Sequence, residues 1–175
     1  HTGDGTGVNS ANAEVSLNGV GTEAARARIV KWLAARGLGR AIALRFGAGQ
    51  CRVVVNYREQ MSSAASTAEE IRRLGGTAVI FRADIGKSDD VEALMSEALN
   101  HWGAIDVLVN NAGVIRDTYM MLMSDKDWDR VIETNLKGTF TCCRAALRPM
   151  IAQKRGRIIN MVSPSAITGR AGQTN

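Results

Sequence analysis

Residues 52–76 read RVVVNYREQMSSAASTAEEIRRLGG, and this stretch decides the fold class. The apolar run Val53-Val54-Val55 is typical of a strand that is buried on both faces. The alanine-rich segment behind it predicts a helix that ends near Leu74, and Gly75-Gly76 ends the unit. A strand, a loop, a helix and a stop signal therefore follow one another within one short stretch.

The same unit recurs further along the chain. The sequence predicts more strands at 78–81, 106–109 and 157–162, and more helices at 89–102 and 124–152. Short apolar strands that alternate with helices are typical of a parallel sheet covered on both faces. The predicted fold class is therefore α/β, a doubly wound parallel sheet of the Rossmann type.

The longest predicted helix begins after Ser124, which is a favourable N-cap residue. Apolar side chains recur along it at intervals of three and four residues, which predicts one buried face. The side chains expected on that face are Trp128, Val131, Ile132, Leu136, Phe140, Cys143 and Leu147. Pro149 is expected to kink or to end this helix.

Composition restricts the class of protein. The 175 residues are 45% hydrophobic and 22% charged, which excludes a disordered chain and suits one domain. No apolar run approaches the ~20 residues of a membrane span, so we expect a cytoplasmic protein without a membrane partner. The net charge of +5 is spread along the chain without a nucleic-acid-binding motif, so no nucleic-acid partner is expected.

The three cysteines, Cys51, Cys142 and Cys143, are too few for an even disulfide framework and lack the spacing of a metal site. We expect them to be small buried hydrophobic residues, and we expect no metal site.

Two closely spaced glycines, Gly37 and Gly39, precede an apolar, helix-compatible segment. Glycines at the start of a helix let backbone amides approach a pyrophosphate, which the positive end of the helix dipole favours. The alternative is a plain turn between two helices.

The segment after the strand at 53–55 points to the same ligand. A carboxylate here would bond the adenosine ribose hydroxyls, whereas the neutral Asn56 beside Arg58 accepts a 2′-phosphate without charge repulsion. Arg36, inside the glycine turn, could pair with that phosphate. The alternative for Arg58 is an exposed loop arginine without a ligand.

Domain boundaries follow from these assignments. Residues 1–28 are predicted to be a leader of no assigned structure, and residues 29–175 a partial dinucleotide-binding domain. Residues 22–35 are rich in Ala and Arg and have the local pattern of an amphipathic helix, although the fold needs its first strand here. Whether they form a helix or a strand stays open.

Several ordered motifs resemble the short-chain dehydrogenase/reductase family. They are Arg36–Ala43, Asp84-Ile85, Asn110–Gly113, Asn135 with its neighbours, and Gly156–Ser163. Two further segments, at 113–117 and 172–175, are most similar to the 3-oxoacyl-acyl-carrier-protein reductases of that family. The resemblance covers residues 34–175 and implies the Rossmann-type fold.

The resemblance also implies a cofactor, NADP(H). Gly37 and Gly39 would form the pyrophosphate turn, and Arg36 and Arg58 would lie near the 2′-phosphate. Asp84 and Ile85 would hold the adenine ring. The plain alternative for Asp84 is a cap on the helix that follows it.

Other residues are implied at the reacting end. Asn110, Asn111, Ala112 and Gly113 would stabilise the central strand and line the nicotinamide side. Asn135 would anchor a water in a proton relay, and Ser163 would donate a hydrogen bond to the substrate carbonyl. The plain alternatives are a satisfied buried amide for Asn135 and a loop cap for Ser163.

The sequence departs from the family at both ends. Trp32-Leu33 replaces the expected Thr-Gly, and a Cβ at the first glycine position would crowd the phosphate turn. The family's proton donor is a Tyr with a Lys four residues later, and it would follow Asn175. Tyr57 and Tyr119 are instead followed at that interval by methionines. The expected protein is therefore altered at its N-terminus and truncated at its C-terminus, without the last strands and helices of the sheet.

The resemblance implies NADPH-dependent reduction of a 3-oxoacyl thioester to its 3-hydroxyacyl form, and we expect this chain to be inactive without the Tyr and Lys pair. The alternatives are an acetoacetyl-coenzyme A reductase and a non-catalytic dinucleotide-binding module. An acyl carrier protein is the possible protein partner, and the basic cluster Lys154, Arg155 and Arg157 is one candidate contact for it. A homo-oligomer is expected for the full-length form.

Overall fold

The computed structural model describes residues 28–32 and 37–175. The strands are β1 (Arg28–Trp32), β2 (Arg52–Tyr57), β3 (Thr77–Arg82), β4 (Val107–Asn110) and β5 (Arg157–Asn160). The helices are α1 (Gly37–Ala48), α2 (Met61–Arg73), α3 (Ser88–Trp102), α4 (Asp125–Val131), α5 (Gly138–Ala152) and α6 (Ser165–Thr168). A 3-10 turn (Met120–Leu122) precedes α4, and a π-helical turn (Ile132–Lys137) joins α4 to α5.

All five strands form one parallel sheet in the order β3-β2-β1-β4-β5. Helices cover both of its faces. Val53 and Val55 pack into one buried cluster with residues of α1 and α2, whereas the intervening Val54 packs into a second cluster with residues of α3 and α5. Because successive side chains of a strand point to opposite faces, this division is what an apolar strand between two helical layers requires. The α/β, doubly wound prediction is therefore confirmed.

Residues 28–32 form a strand, so the amphipathic-helix interpretation of residues 22–35 is wrong for this segment. β1 lies between β2 and β4, with Val30 opposite Val54 on one side and Leu108 on the other. Two neighbouring strands supply hydrogen bonds to both of its edges, and this tertiary pairing outweighs the local helix propensity of an Ala- and Arg-rich segment. β1 begins at Arg28, the last residue that we assigned to the leader.

The other predicted strands and helices are present, with ends that differ by a few residues. The largest difference is at β5, which ends at Asn160 rather than Val162. Ser124 is the N-cap of α4 as predicted, and its side chain accepts a hydrogen bond from the Asp127 amide. Pro149 does not end α5, which continues to Ala152.

The predicted buried face of the long helix is wrong for most of its members. Leu136 is 65% exposed, Phe140 58% and Leu147 45%. The side that faces the sheet carries mainly small residues instead: Val131, Thr134, Gly138, Thr141, Cys142, Ala146 and Met150. The helix packs closely, because a Cβ at Gly138 would lie 3.0 Å from Ile85 Cδ1. Close packing selects small side chains and leaves the large apolar ones outside.

Among the described residues, every helix falls short of the length and hydropathy of a membrane span.

Candidate functional site

A cleft of about 600 Å³ lies where β2 and β3 end, at the carboxyl edge of the sheet. Ligands of open parallel sheets bind at this edge. Seven charged residues line the cleft, and they come from the ends of β2 and β3, the loop and first turn of α3, and α4: Arg58, Glu59, Arg82, Asp84, Lys87, Asp90 and Arg130. Sequence reasoning named two of them, Arg58 and Asp84, and the structure brings these two together.

The three carboxylates of the cleft have partners within the protein. Glu59 pairs with Arg58, with Oε1 at 2.6 Å from Nη2. Asp84 Oδ1 accepts from the Gly86 amide at 3.1 Å, and Asp90 Oδ2 accepts from the Asp84 amide at 2.8 Å. These contacts hold the turn between β3 and α3 in place.

Among the described residues, the cations of the cleft have fewer bonding partners than its carboxylates do. In the described part of the chain, Arg82, Lys87 and Arg130 form no ion pair with a carboxylate. Arg82 uses its Nε to donate to the Arg58 carbonyl at 3.1 Å. The cleft therefore offers N–H donors and positive charge to an anion that enters it.

Asn56 is buried at the carboxyl end of β2. Its Nδ2 donates to the Ala83 carbonyl at 3.2 Å, which ties β2 to the end of β3. Its Oδ1 is buried and accepts no hydrogen bond from any described residue. A buried acceptor without a partner is rare and favours a ligand hydroxyl or a small rearrangement that brings a donor to it.

Asp84 and Ile85 have different roles: the first stabilises a turn and the second packs in the core. Asp84 caps the turn at Gly86 rather than α3, whose N-cap is Lys87, so the helix-cap alternative is wrong. The Ile85 side chain is 6% exposed and packs against Gly138. It belongs to the core, so contact with an adenine ring would have to come from its backbone.

Of the predicted glycine turn, Gly37 and Gly39 are described, and Arg36 and Leu33 lie outside the described residues. Gly37 opens α1 with a φ of +59°, which favours glycine, and a Cβ there would meet nothing within 4 Å. Gly39, two residues further on in the helix, is buried. The start of α1 thus has the open backbone that an anion at a helix N-terminus needs.

Asn135 lies in the π-helical turn and binds the loop after β4. Its Oδ1 accepts from the Val114 amide at 2.8 Å, and its Nδ2 donates to the Val114 carbonyl at 3.0 Å. Each polar atom of the side chain makes one of these bonds, and each keeps a second bonding position, one lone pair on Oδ1 and one N–H on Nδ2. Its backbone carbonyl accepts from Thr139 Oγ1 at 2.7 Å. Asn135 is exposed, which makes the buried-amide alternative wrong in its burial and right in its satisfied bonding.

The predicted nicotinamide-side residues lie just before that contact. Asn111 and Ala112 are half-buried, Ala112 packs against the second core cluster, and Gly113 is exposed. A Cβ at Gly113 would lie 3.4 Å from Asn135 Oδ1. The loop and the helix are therefore in direct contact at this point.

Ser163 is exposed between β5 and α6. Its Oγ accepts from the Ser165 amide at 3.2 Å, which is the loop-cap contact of the plain alternative. The hydroxyl hydrogen remains available to a substrate oxygen. No hydrogen bond joins Ser163 to Asn135 among the described residues.

A polar cluster that sequence reasoning did not connect joins the ends of β4 and β5. Asn110 Nδ2 donates to Asn160 Oδ1 at 2.8 Å and to Cys143 Sγ at 3.3 Å. Burial raises the pKa of the Cys143 thiol, and the Asn110 hydrogen bond partly opposes that rise. The cluster fixes the two strand ends that carry the Asn111–Gly113 loop and Ser163.

Sequence reasoning missed the other five residues of the cleft: Glu59, Arg82, Lys87, Asp90 and Arg130. Arg82 could have been found as the residue that directly follows the strand predicted at 78–81, at the edge where ligands bind. Arg130 lies on a helix far along the chain, and nothing in the sequence places it near Arg58.

No group of three or more His, Cys, Asp or Glu side chains suited to a metal ion occurs in the described part of the chain. Burial strongly raises the pKa of the Cys142 thiol and also raises that of Cys51. All three cysteines are free thiols.

Comparisons with known proteins agree on one family. The sequence profile of the family described as short chain dehydrogenase matches residues 33–175. A 3-oxoacyl-[acyl-carrier-protein] reductase of Synechocystis sp. is 42% identical over 142 residues, and the corresponding Staphylococcus aureus (strain Mu50) enzyme is 41% identical over the same length. These matches cover 81% of this chain and 58% of each relative.

A solved structure supports the same conclusion. The crystal structure described as that of a short-chain alcohol dehydrogenase from Sinorhizobium meliloti 1021 superposes with a TM-score of 0.80 at 30% identity. It covers 85% of this chain and 58% of the other. The profile match and the sequence identities agree with the cleft at the strand ends and with the glycines at the start of α1. The chain belongs to the short chain dehydrogenase family.

Proposed function

We propose that this chain is the cofactor-binding part of an NADPH-dependent reductase that converts a 3-oxoacyl thioester, carried by acyl carrier protein, to the 3-hydroxyacyl form. The two relatives are 3-oxoacyl-[acyl-carrier-protein] reductases, which supports both the reaction and the carrier. The observation that carries the cofactor assignment is the cleft at the ends of β2 and β3, where four basic residues meet three internally bonded acidic ones.

The residues present fit a phosphorylated dinucleotide. The cations of the cleft suit a 2′-phosphate, and Arg58 lies 19 residues after Gly39 (58 − 39), the interval typical of the ribose-binding position. Gly37 and Gly39 give the open backbone at the N-terminus of α1 for a pyrophosphate. When bound, the cofactor supplies a hydride.

The chain's own residues would bind and orient the reactants. Ser163 can donate its hydroxyl hydrogen to the substrate carbonyl, where negative charge grows during reduction. Asn135 holds the backbone of the Asn111–Gly113 loop through Val114, and this contact fixes the wall beside the nicotinamide. In this proposal Asn135 acts on the loop through its side chain.

Residues 1–175 contain no Tyr with a Lys four positions later, so we propose that they bind the cofactor without turning over substrate. Protonation of the alkoxide requires a donor with a suitable pKa, and the Ser163 hydroxyl is a weak acid. A non-catalytic dinucleotide-binding module would have the same binding property, and this feature of the sequence favours it as the second candidate.

The basic cluster at 154–157 is a poor site for the carrier protein. Arg155 Nε pairs with Asp106 Oδ1 at 2.8 Å, and the cluster precedes β5, at the amino edge of the sheet. Substrate must reach the opposite, carboxyl edge. We therefore place no carrier contact at residues 154–157.

The proposal can be tested by fluorescence titration of the purified 175-residue chain with NADPH, followed by addition of 3-oxoacyl thioesters on acyl carrier protein and on coenzyme A. We expect saturable binding and no loss of NADPH absorbance with either carrier. The Synechocystis relative is the positive control for turnover. Absence of binding would contradict the proposal, and thioester-dependent NADPH oxidation would contradict the inactivity of these residues.

A further inference from the structure

We propose that Arg82 is a specificity-determining residue that selects a dinucleotide with a 2′-phosphate, and that Glu59 competes with this phosphate for Arg58. The inference rests on the proposed function, because it takes the cleft as the site of the cofactor's adenosine end. It adds two residues to the set that sequence reasoning assigned to the phosphate.

The position of Arg82 gives it two possible roles. It is the last residue of β3 and lies opposite Tyr57, one residue before Arg58. Its Nε donates to the Arg58 carbonyl at 3.1 Å, which holds the loop that carries Arg58. Its two Nη groups make no ion pair among the described residues, although they belong to a guanidinium that lines the cleft. A guanidinium with one bonded edge and further N–H groups can bind a phosphate while it fixes its neighbour.

The charges of the cleft favour a phosphate dianion over a neutral ribose. The Asp84 and Asp90 carboxylates each accept a hydrogen bond from a backbone amide. The cations Lys87 and Arg130 have no carboxylate partner in the described residues. A phosphate monoester beside Arg82 would make charge-assisted hydrogen bonds. A hydroxyl at the same place would leave these cations without an anion.

The Glu59 carboxylate pairs with the Arg58 guanidinium. The Glu59 Oε1 atom lies 2.6 Å from Arg58 Nη2 and 2.9 Å from Arg58 Nε, so one oxygen accepts from two nitrogens. Glu59 is an exposed residue, and its side chain can swing into solvent at small cost. A phosphate that binds Arg58 must displace this carboxylate and also approach its negative charge. Removal of the charge at Glu59 should therefore strengthen binding of the phosphorylated cofactor.

The test compares Arg82→Met, Arg82→Lys and Glu59→Gln with the unchanged chain. Arg73→Met is the matched control, because Arg73 is an exposed arginine of α2 that does not line the cleft. Affinities are measured for NADPH and NADH by fluorescence, and for adenosine 2′,5′-bisphosphate and adenosine 5′-monophosphate by calorimetry. The two nucleotides contain only the adenosine end, so they report on the cleft even where the glycine turn binds poorly. Circular dichroism and thermal melting confirm that each variant is folded.

We expect Arg82→Met to weaken NADPH and the bisphosphate about tenfold or more, and to change NADH and the monophosphate less than about twofold. Arg82→Lys should retain part of the preference, because it keeps the charge and loses the planar fork. Glu59→Gln should raise the affinity for the phosphorylated ligands severalfold. Arg73→Met should leave the affinity for all four ligands nearly unchanged, because it removes only one distant charge.

Equal weakening of phosphorylated and unphosphorylated ligands by Arg82→Met would overturn the inference, and so would no weakening at all. If NADPH does not bind but the bisphosphate binds in an Arg82-dependent way, the inference holds and the proposed function fails. If NADPH binds and its preference over NADH is independent of Arg82, the proposed function holds and the inference fails. If none of the four ligands binds, both fail.

Discussion

At the scale of single residues, two side-chain hydrogen bonds of Asn135 connect the helical layer to the loop after β4. Its amide oxygen accepts from Val114 and its amide nitrogen donates to Val114, a pairing that a carboxylate, which only accepts, cannot reproduce. The contact joins the π-helical turn to the loop after β4. Its loss should affect stability and the position of the loop.

We expect Asn135→Ala to lower the free energy of unfolding by about 1–2 kcal/mol, since each intramolecular hydrogen bond contributes about 0.5–1.5 kcal/mol. Urea denaturation measures this loss. Asn100→Ala is the control, because Asn100 is an exposed helical asparagine of α3, and its replacement should change stability by less than about 0.5 kcal/mol. Equal effects of the two substitutions would show that the Val114 contact contributes nothing.

The site could be predicted in part at this scale. Arg58 and Asp84 follow apolar strands, and the rule that ligands bind at the carboxyl edge was enough to bring them together. Ile85 could not be placed, because its orientation depends on the close approach of Gly138 from a helix more than 50 residues later (138 − 85 = 53). The bond from Arg82 to the Arg58 carbonyl could not be predicted, because it joins two strand ends and spacing does not encode such a contact. Glu59 is the chain neighbour of Arg58, but only the structure shows that its carboxylate pairs with the guanidinium.

At the scale of elements, α5 reverses the usual relation between size and burial. Its sheet-facing side is lined mainly by small residues, and its large apolar side chains Phe140, Leu147 and Ile151 are exposed, as is Leu136 of the π-helical turn before it. Hydropathy alone therefore gave the wrong face, because it assigns the largest apolar side chains to the core. The strands were predicted well for the opposite reason: apolar runs in β2 and β4 are buried on both faces, so no face had to be chosen.

The contrast predicts a large loss of stability for one substitution and a small loss for another. Gly138→Val should lower the free energy of unfolding by about 2 kcal/mol or more, because its side chain would overlap Ile85, whose Cδ1 already lies 3.0 Å from an added Cβ. Leu136→Ala should cost less than about 0.5 kcal/mol, because Leu136 is 65% exposed. Denaturant titration of both variants measures the difference. A larger loss for Leu136→Ala would mean that the helix buries the face that hydropathy indicates.

At the scale of the whole molecule, the sheet and its helices keep thiols away from water on both layers. Cys51 is 3% exposed and Cys142 is fully buried, in different core clusters. Burial raises the pKa of both thiols above the ordinary value of 9.0, and the negative charge of Asp106 adds to the rise at Cys51. The folded protein therefore keeps protons that the unfolded chain releases.

The sign of the pH dependence follows directly. Below pH 9 both states hold the thiol protons, and above the ordinary pKa of 9.0 the unfolded chain loses them first, so folding stability falls as the pH rises. We expect a loss of up to about 1.4 kcal/mol per pH unit for each buried thiol. Cys142→Ala should reduce this slope in urea titrations between pH 8 and about pH 10. An unchanged slope would show that Cys142 ionises as easily in the folded state as in the unfolded one.

The sheet order has a consequence for the sequence of events in folding. β1 pairs with β2 across 24 residues, from Arg28 to Arg52, but with β4 across 78 residues, from Ile29 to Val107. Closing the longer loop has the larger entropic cost, so the half made of β1, β2 and β3 can form before the half that contains β4 and β5. During synthesis the ribosome releases the partners in the same order. The carboxyl ends of β2 and β3, which carry the cleft, would then be in place while the strands that carry Asn111 and Ser163 are still unfolded.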